Sequence, residues 1–98
     1  MSNIKFSSPF LRQFIHDDIT IGGSWTTALP AAIAPQRRVV VVIQNKSDTT
    51  ALYVALNETS TEGLLIPIKS NVSLDNYNGI VRLKSDGSVV AHVAYATA

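Results

Sequence analysis

The sequence contains no cysteine among its 98 residues. A disulfide framework and thiolate metal sites are therefore excluded. Charged residues are also scarce: Asp, Glu, Lys and Arg make up 15% of the chain, below the roughly 25% of an average soluble domain. The formal net charge is only +1. A chain with so small a net charge has no basic field that would attract nucleic acid or anionic lipid, and we expect neither as a partner.

Long apolar runs are absent as well. No segment approaches the roughly 18 consecutive apolar residues of a membrane-spanning helix, and the opening "MSNIKFSSPFLRQFIHDD" has no apolar run typical of a signal peptide. We expect no membrane partner and a protein that stays in the cytoplasm until it assembles. Hydrophobic residues nevertheless make up 46% of the chain. Because a small domain leaves much of its surface exposed, we expect another protein to cover part of that apolar surface.

The titratable and nucleophilic residues form no pattern typical of catalysis or metal binding. His16-Asp17-Asp18 offers one imidazole and two carboxylates, but a zinc site needs three or four converging ligands, and the other histidine, His92, is distant in sequence. The serines and threonines lie in turn-like stretches without a His–Asp pair to activate them. No glycine pattern for binding phosphate is present. We therefore predict no enzyme activity, no cofactor and no metal site, and we interpret both histidines as surface side chains.

Pro35 marks the division of the chain into two parts. Up to Gln36 no hydrophobic period is sustained: Pro9 favours one helical turn, Gly22-Gly23 ends a short alternating segment, and residues 26–35 are rich in Ala and Pro. We predict that residues 1–36 form an extended N-terminal arm with one short strand. Residues 37–98 then form a separate β-domain.

The second part alternates strand-forming segments with turn residues. Segments rich in Val, Ile and Leu are separated by stretches such as "NKSDTT", "NETSTEG" and "SDGS". Short strands at regular spacing predict an all-β fold, a small antiparallel β-sandwich of the jelly-roll or immunoglobulin-like kind. The predicted strands are residues 38–44, 52–56, 64–68, 72–74, 80–84 and 89–95.

The last two strands predict a hairpin. With residues 85–87 as a three-residue loop and Gly87 at positive φ in a bulge, Leu83 pairs with Val89. This register produces one wholly apolar face and places His92 on the opposite face. A shift by one residue would exchange the faces, so the apolar pattern selects this register.

The segment "RRVVVVIQN" is apolar on both faces. A half-exposed strand would alternate with polar residues, whereas here Val40 and Val42 occupy the second face. "ALYVAL" repeats the pattern, with Tyr53 on its second face. These faces need a cover, either the arm or another subunit, and we expect an oligomer. We interpret Arg37 and Arg38 as charged residues that flank an apolar strand and limit aggregation.

The large side chains of the arm lie in a segment too short and too interrupted to form its own core. If exposed to water, each would lack the roughly 1.5–3 kcal/mol of stabilisation that burial provides. We therefore expect them to anchor the arm on a neighbouring subunit or on a larger assembly. Closed symmetry is the usual result, and we prefer a trimer to a dimer. The predicted subunit- and partner-binding residues are Phe6, Phe10, Leu11, Phe14, Ile15 and Trp25 of the arm, with Val40, Val42 and Tyr53 of the β-domain.

Residues 28–98 resemble a small β-domain that recurs in virion proteins of tailed bacteriophages. The resemblance rests on the order of several motifs; in place of the Pro-Gly turn associated with that family, this chain has Lys69-Ser70-Asn71. The motifs are "RRVVVVIQN" (37–45), "LYV" (52–54), "GLLIPI" (63–68), "YNG" (77–79) and a valine-rich last strand.

The resemblance implies a structural protein of the virion, made in the host cytoplasm. Such domains are similar to capsid decoration (cement) proteins, head fibres and tail components. The first implied role is capsid decoration, in which an oligomer bridges capsomers and stabilises the head. The alternative is a tail, fibre or baseplate module that recognises a host receptor or a partner protein. The implied partners are other copies of the chain and the major capsid protein or another virion protein.

Overall fold

Eight β-strands make up the structure, a computed structural model that describes residues 13–97 and the side chains from Ile15 onward. They form two antiparallel four-stranded sheets: sheet A has the order β1-β8-β3-β6 and sheet B the order β2-β7-β4-β5. The predicted all-β sandwich is confirmed. The strands are β1 (Gln13–Ile21), β2 (Thr26–Leu29), β3 (Arg38–Asn45), β4 (Leu52–Ala55), β5 (Leu64–Ile66), β6 (Asn71–Asp75), β7 (Val81–Ser85) and β8 (Val89–Thr97).

The strands are paired as in one long hairpin folded over on itself. β1 pairs with β8, β2 with β7, β3 with β6 and β4 with β5. Further pairing of β3 with β8 and of β4 with β7 produces the two facing sheets. This strand order is that of an eight-stranded jelly roll. Across residues 13–97 there is no helix long and apolar enough to cross a membrane.

The hydrophobic core lies between the sheets and is built from alternate positions of the strands. Val41 and Ile43 of β3 and Val81 and Leu83 of β7 are fully buried, because successive strand residues point to opposite faces of a sheet. The neighbouring positions Val40, Val42, Arg82 and Lys84 are only half-buried. The core consists of Ile21, Leu29, Val41, Ile43, Leu52, Val54, Ile66, Val81, Leu83, Val89, Ala91 and Val93.

The region predicted to be an arm supplies two strands of the sandwich. β1 pairs with β8 along its nine residues, β2 pairs with β7, and Ile21 and Leu29 belong to the core. The predicted boundary at residues 36 and 37 therefore falls inside the domain, in the loop before β3. Asp17 interrupts the inward-facing apolar series of β1. An edge strand tolerates a charged residue at such a position because one of its sides is open to solvent. The arm prediction for residues 1–12 lies outside the described residues.

The predicted hairpin of the last two strands is wrong, although its buried face is right. β7 belongs to sheet B and β8 to sheet A, so Leu83 and Val89 enter the core from opposite sheets and are both buried. Gly87 does not have a positive φ. The alternation of apolar residues determines which side chains are buried, but it does not determine which strand lies alongside.

Arg38, at the start of β3, is a buried residue that makes polar contacts within the fold. It is 3% exposed, and its backbone N–H donates to Asn78 Oδ1 at 2.7 Å. Its guanidinium donates to the carbonyl oxygens of Gly79, at 2.9 Å, and Pro30. Burial lowers the pKa of the guanidinium. The interpretation of Arg38 as a surface residue flanking the strand is therefore wrong; the side chain fastens two loops to β3.

Asn45, at the end of β3, connects the two sheets. It is fully buried. Its Nδ2 donates to the carbonyl oxygens of Thr50 and Ile66, both at 3.1 Å, and its Oδ1 accepts from the backbone N–H of Ser47 at 2.9 Å. Because Ile66 belongs to β5, this one amide joins sheet A to sheet B and also holds the loop after β3. Two of the motifs that carry the resemblance, "RRVVVVIQN" and "YNG", thus contribute internal polar contacts.

Candidate binding surfaces

The residues predicted to bind partners are distributed over both sides of the sandwich. Val40 and Val42 lie on the outer face of sheet A, whereas Tyr53 lies on the outer face of sheet B; all three are half-buried. Ile15, in β1, and Trp25, just before β2, are also half-buried. The remaining predicted residues are Phe6, Phe10 and Leu11, which lie outside the described residues, and Phe14, whose backbone belongs to β1 but whose side chain lies outside the described part.

A shallow groove with two aromatic walls lies on the outer face of sheet B. Its volume is about 350 Å³. Trp25 reaches it from the turn before β2, Tyr53 from β4 and Lys84 from β7. The outer positions of these strands face away from the core, so the groove opens to solvent. Its lining residues are Trp25, Tyr53, Thr61, Glu62, Gly63, Lys84 and Asp86.

Trp25 is held in place from several directions. The guanidinium carbon of Arg82 lies 5.2 Å from the centroid of the indole ring and Lys84 Nζ lies 5.8 Å from it, distances typical of cation–π contacts. Gly63 permits the ring to approach closely, because a Cβ there would lie 2.7 Å from the indole and 2.7 Å from the carbonyl oxygen of Val54. Trp25 is therefore a fixed wall of the groove.

The second aromatic side chain of the groove, Tyr53, is a phenol that remains protonated. Tyr53 Oη donates to Asp86 Oδ2 at 3.0 Å, and this hydrogen bond, together with the charge of Asp86, raises the pKa of Tyr53. Glu62 and Asp86 supply acceptors and Lys84 a donor beside the two rings. Aromatic surface bordered by a few polar groups suits a ligand that has apolar and hydroxylated faces, as saccharides do.

Strand β5 exposes large apolar side chains at the edge of sheet B. Leu64 is 65% exposed, Leu65 56% and Ile68 45%. Leu64 and Leu65 point to opposite faces of the sheet, and Ile68 follows in the next turn. Natural edge strands are usually protected by charged side chains or prolines; here only Pro67 interrupts the apolar series. We call Leu64, Leu65 and Ile68 the β5 apolar edge.

A third surface forms where β1 pairs with β8 on the outer face of sheet A. The register places Asp18 opposite His92 and His16 opposite Ala94. His92 Nδ1 lies 2.6 Å from Asp18 Oδ1, and His92 Nε2 lies 3.1 Å from His16 Nδ1. The two histidines are 76 positions apart in the sequence, and only the strand register brings them together.

The aspartate of this cluster is held in its charged form. Hydrogen bonds from His92 and then from Lys46, whose Nζ lies 3.3 Å from Asp18 Oδ2, lower the pKa of Asp18. A carboxylate accepts hydrogen bonds, so it holds the proton of a neutral His92 on Nδ1 and leaves the lone pair on Nε2. Among the described side chains, no group of three or more His, Asp or Glu is arranged to hold a metal ion.

No protein-family model, no curated protein and no solved structure matches this chain.

Proposed function

We propose that the chain is a structural virion protein of a tailed bacteriophage, of the capsid decoration kind, which oligomerises and bridges capsomers. The motif order of residues 28–98 supports this role, and so does the jelly roll, an architecture that capsid proteins use. A fold alone does not specify a function. The observation that carries the proposal is the β5 apolar edge, which has the properties of a contact between protein chains.

The β5 apolar edge offers exposed apolar side chains and a strand that, within residues 13–97, has a neighbouring strand on one side only. Covering each of its three large side chains would contribute roughly 1.5–3 kcal/mol. β5 is the last strand of sheet B, so its outer backbone groups are available to pair with a strand of another chain. We assign this edge to the contact between copies of the protein. The attachment to the capsid is assigned to residues 1–12, which contain the predicted anchors Phe6, Phe10 and Leu11.

The role is tested by counting the chain in purified particles of the phage that encodes it. A decoration protein occurs in many copies spread over the head, and cryo-electron microscopy of the particle would place them there. A few copies confined to the tail would contradict decoration and support the adsorption role.

The assembly contact is tested by introducing a charge into the β5 apolar edge. Leu65→Glu should abolish self-association in sedimentation velocity, while circular dichroism shows that the sandwich remains folded. Ile33→Glu is the matched control, because Ile33 is 80% exposed but lies in the loop between β2 and β3. Equal effects of the two substitutions, or no effect of Leu65→Glu, would exclude β5 as the contact.

The groove on sheet B favours a second candidate, a tail or fibre module that binds a host glycan. Trp25 is the one tryptophan of the chain, so its fluorescence reports on ligands in the groove. Titration with oligosaccharides of the host surface should change that fluorescence, and Tyr53→Ala should weaken the response. His92→Ala, on the opposite face of the sandwich, is the control and should leave it unchanged. A titration without any fluorescence response would eliminate this candidate.

A further inference from the structure

We propose that His16 and His92 together bind a divalent transition-metal ion that prefers nitrogen ligands, such as Cu²⁺ or Zn²⁺, on the outer face of sheet A. This site is independent of the proposed structural role, and it departs from the absence of metal that the sequence predicts. It rests on the spacing of two imidazole nitrogens, on the carboxylate that orients one of them, and on their exposure.

The two nitrogens are spaced as neighbouring ligands of one ion. His16 Nδ1 and His92 Nε2 lie 3.1 Å apart and share a hydrogen bond, so an ion bound by both nitrogens replaces the shared proton. With metal–nitrogen bonds of about 2.05 Å, this separation corresponds to a nitrogen–metal–nitrogen angle of about 100°, between the angles of octahedral and tetrahedral coordination. The rings meet edge to face, at 73° to each other. In the hydrogen bond the two nitrogens face each other, so the exposed His16 side chain must rotate before both lone pairs meet at one ion.

Asp18 acts as the orienting group for this pair. Histidines that ligate metals usually donate their other ring N–H to a carboxylate, which fixes the tautomer and increases the basicity of the ligating nitrogen. The contact of 2.6 Å between His92 Nδ1 and Asp18 Oδ1 has this arrangement. Asp18 is thus a positioning residue, and the two imidazoles are the ligands.

The surroundings select the class of ion. Lys46 Nζ contacts the second oxygen of Asp18 and balances its charge, and Gln44 and Ala94 are the cross-strand neighbours of His92 and His16. Ions that require several carboxylate ligands, such as Ca²⁺ and Mg²⁺, are therefore disfavoured. Imidazole suits Zn²⁺, Ni²⁺ and Cu²⁺, with Cu²⁺ the tightest. The remaining coordination positions face solvent and take water.

The test is calorimetric titration of the full chain with CuCl₂ and with ZnCl₂ at neutral pH. One ion per chain is expected. His16→Ala and His92→Ala should each abolish this binding, and Asp18→Asn should weaken it about 10- to 100-fold. Asp17→Asn is the matched control: it removes a neighbouring carboxylate whose side chain lies on the other face of β1, and binding should be unchanged.

Two further measurements use the unmodified chain and do not depend on how the variants fold. Electron paramagnetic resonance of the Cu²⁺ complex should show coupling to two imidazole nitrogens. Addition of Zn²⁺ should shift the imidazole resonances of His16 and His92 in nuclear magnetic resonance spectra. The proposal is overturned if the chain binds neither ion, if His16→Ala retains the affinity of the unmodified chain, or if the spectra place the ion away from these rings.

Discussion

Replacing Asn45 by alanine removes three hydrogen bonds from a position with no exposed surface. The carbonyl oxygens of Thr50 and Ile66 and the N–H of Ser47 each lose their contact with this amide. Alanine has no group that could replace these bonds, and the missing amide leaves a gap between the sheets. The substitution therefore breaks one tie between sheet A and sheet B without changing the surface of the protein.

The expected loss is large for a domain of this size. A typical buried hydrogen bond contributes about 0.5–1.5 kcal/mol, and a buried polar group left without a partner costs about 1–3 kcal/mol. For three bonds we expect a reduction in the free energy of unfolding of about 3–5 kcal/mol, out of the roughly 5–15 kcal/mol typical of native proteins. The melting temperature should then fall by at least about 12 °C.

Urea denaturation followed by circular dichroism measures this change. Asn57→Ala is the matched control, because Asn57 Oδ1 accepts two backbone hydrogen bonds, from Thr59 at 3.2 Å and Ser60 at 2.8 Å, but in an exposed turn. It should cost less than about 1 kcal/mol. If Asn45→Ala costs no more than Asn57→Ala, the assignment of Asn45 as a buried connection between the sheets is wrong.

Three further predictions follow from contacts described above. Gly63→Ala should lower the melting temperature because its Cβ would meet the backbone oxygen of Val54 at 2.7 Å, whereas Gly87→Ala should be nearly neutral because its nearest neighbour, the Thr50 side-chain methyl, would lie at 3.8 Å; equal effects would contradict this packing. Asp86→Asn should lower the pKa of Tyr53 in a spectrophotometric titration, because it removes the acceptor charge that raises that pKa; an unchanged midpoint would exclude the hydrogen bond. Deletion of residues 1–12 should preserve cooperative melting, since β1 begins afterwards, but abolish capsid attachment; a truncated chain that still attaches would exclude that segment as the anchor.

The fold class and most core positions were predictable because they depend on local patterns. Val41 and Ile43 of "VVVVI" and Val89, Ala91 and Val93 of the last strand are buried, as the alternation predicts. Val39 and Tyr95, which belong to the same two series, are only half-buried. The pairing of strands was not predictable by the same means. Val81 and Leu83 lie in sheet B and Val89 lies in sheet A. The alternation of apolar residues in their two segments is nevertheless the one expected of two strands paired in a hairpin.

The role of the first strand was missed because its own pattern is mixed. β1 presents the sequence "QFIHDDITI", with two adjacent aspartates at its centre, and such a segment does not have the appearance of a sandwich strand. Its position depends on β8, which supplies the partner for each of its residues. The cluster of His16, Asp18 and His92 has the same origin: no local pattern indicates it, because it exists only in one register of the first and last strands. The groove likewise depends on two strands, β4 and β7, and on three loops that are distant in sequence.

Sheet A is completed by β8, which comes last in sequence among the described strands. β8 lies between β1 and β3, so during translation β1 has no neighbour in its sheet until residues 89–97 emerge from the ribosome. By then β3 has β6 on one side, but its other side stays open through the same interval, and non-local β-pairing is slow and prone to aggregation. We therefore expect a chain that stops before Val89 to leave β1 without its partner in sheet A and one side of β3 open, and to be degraded readily by proteases.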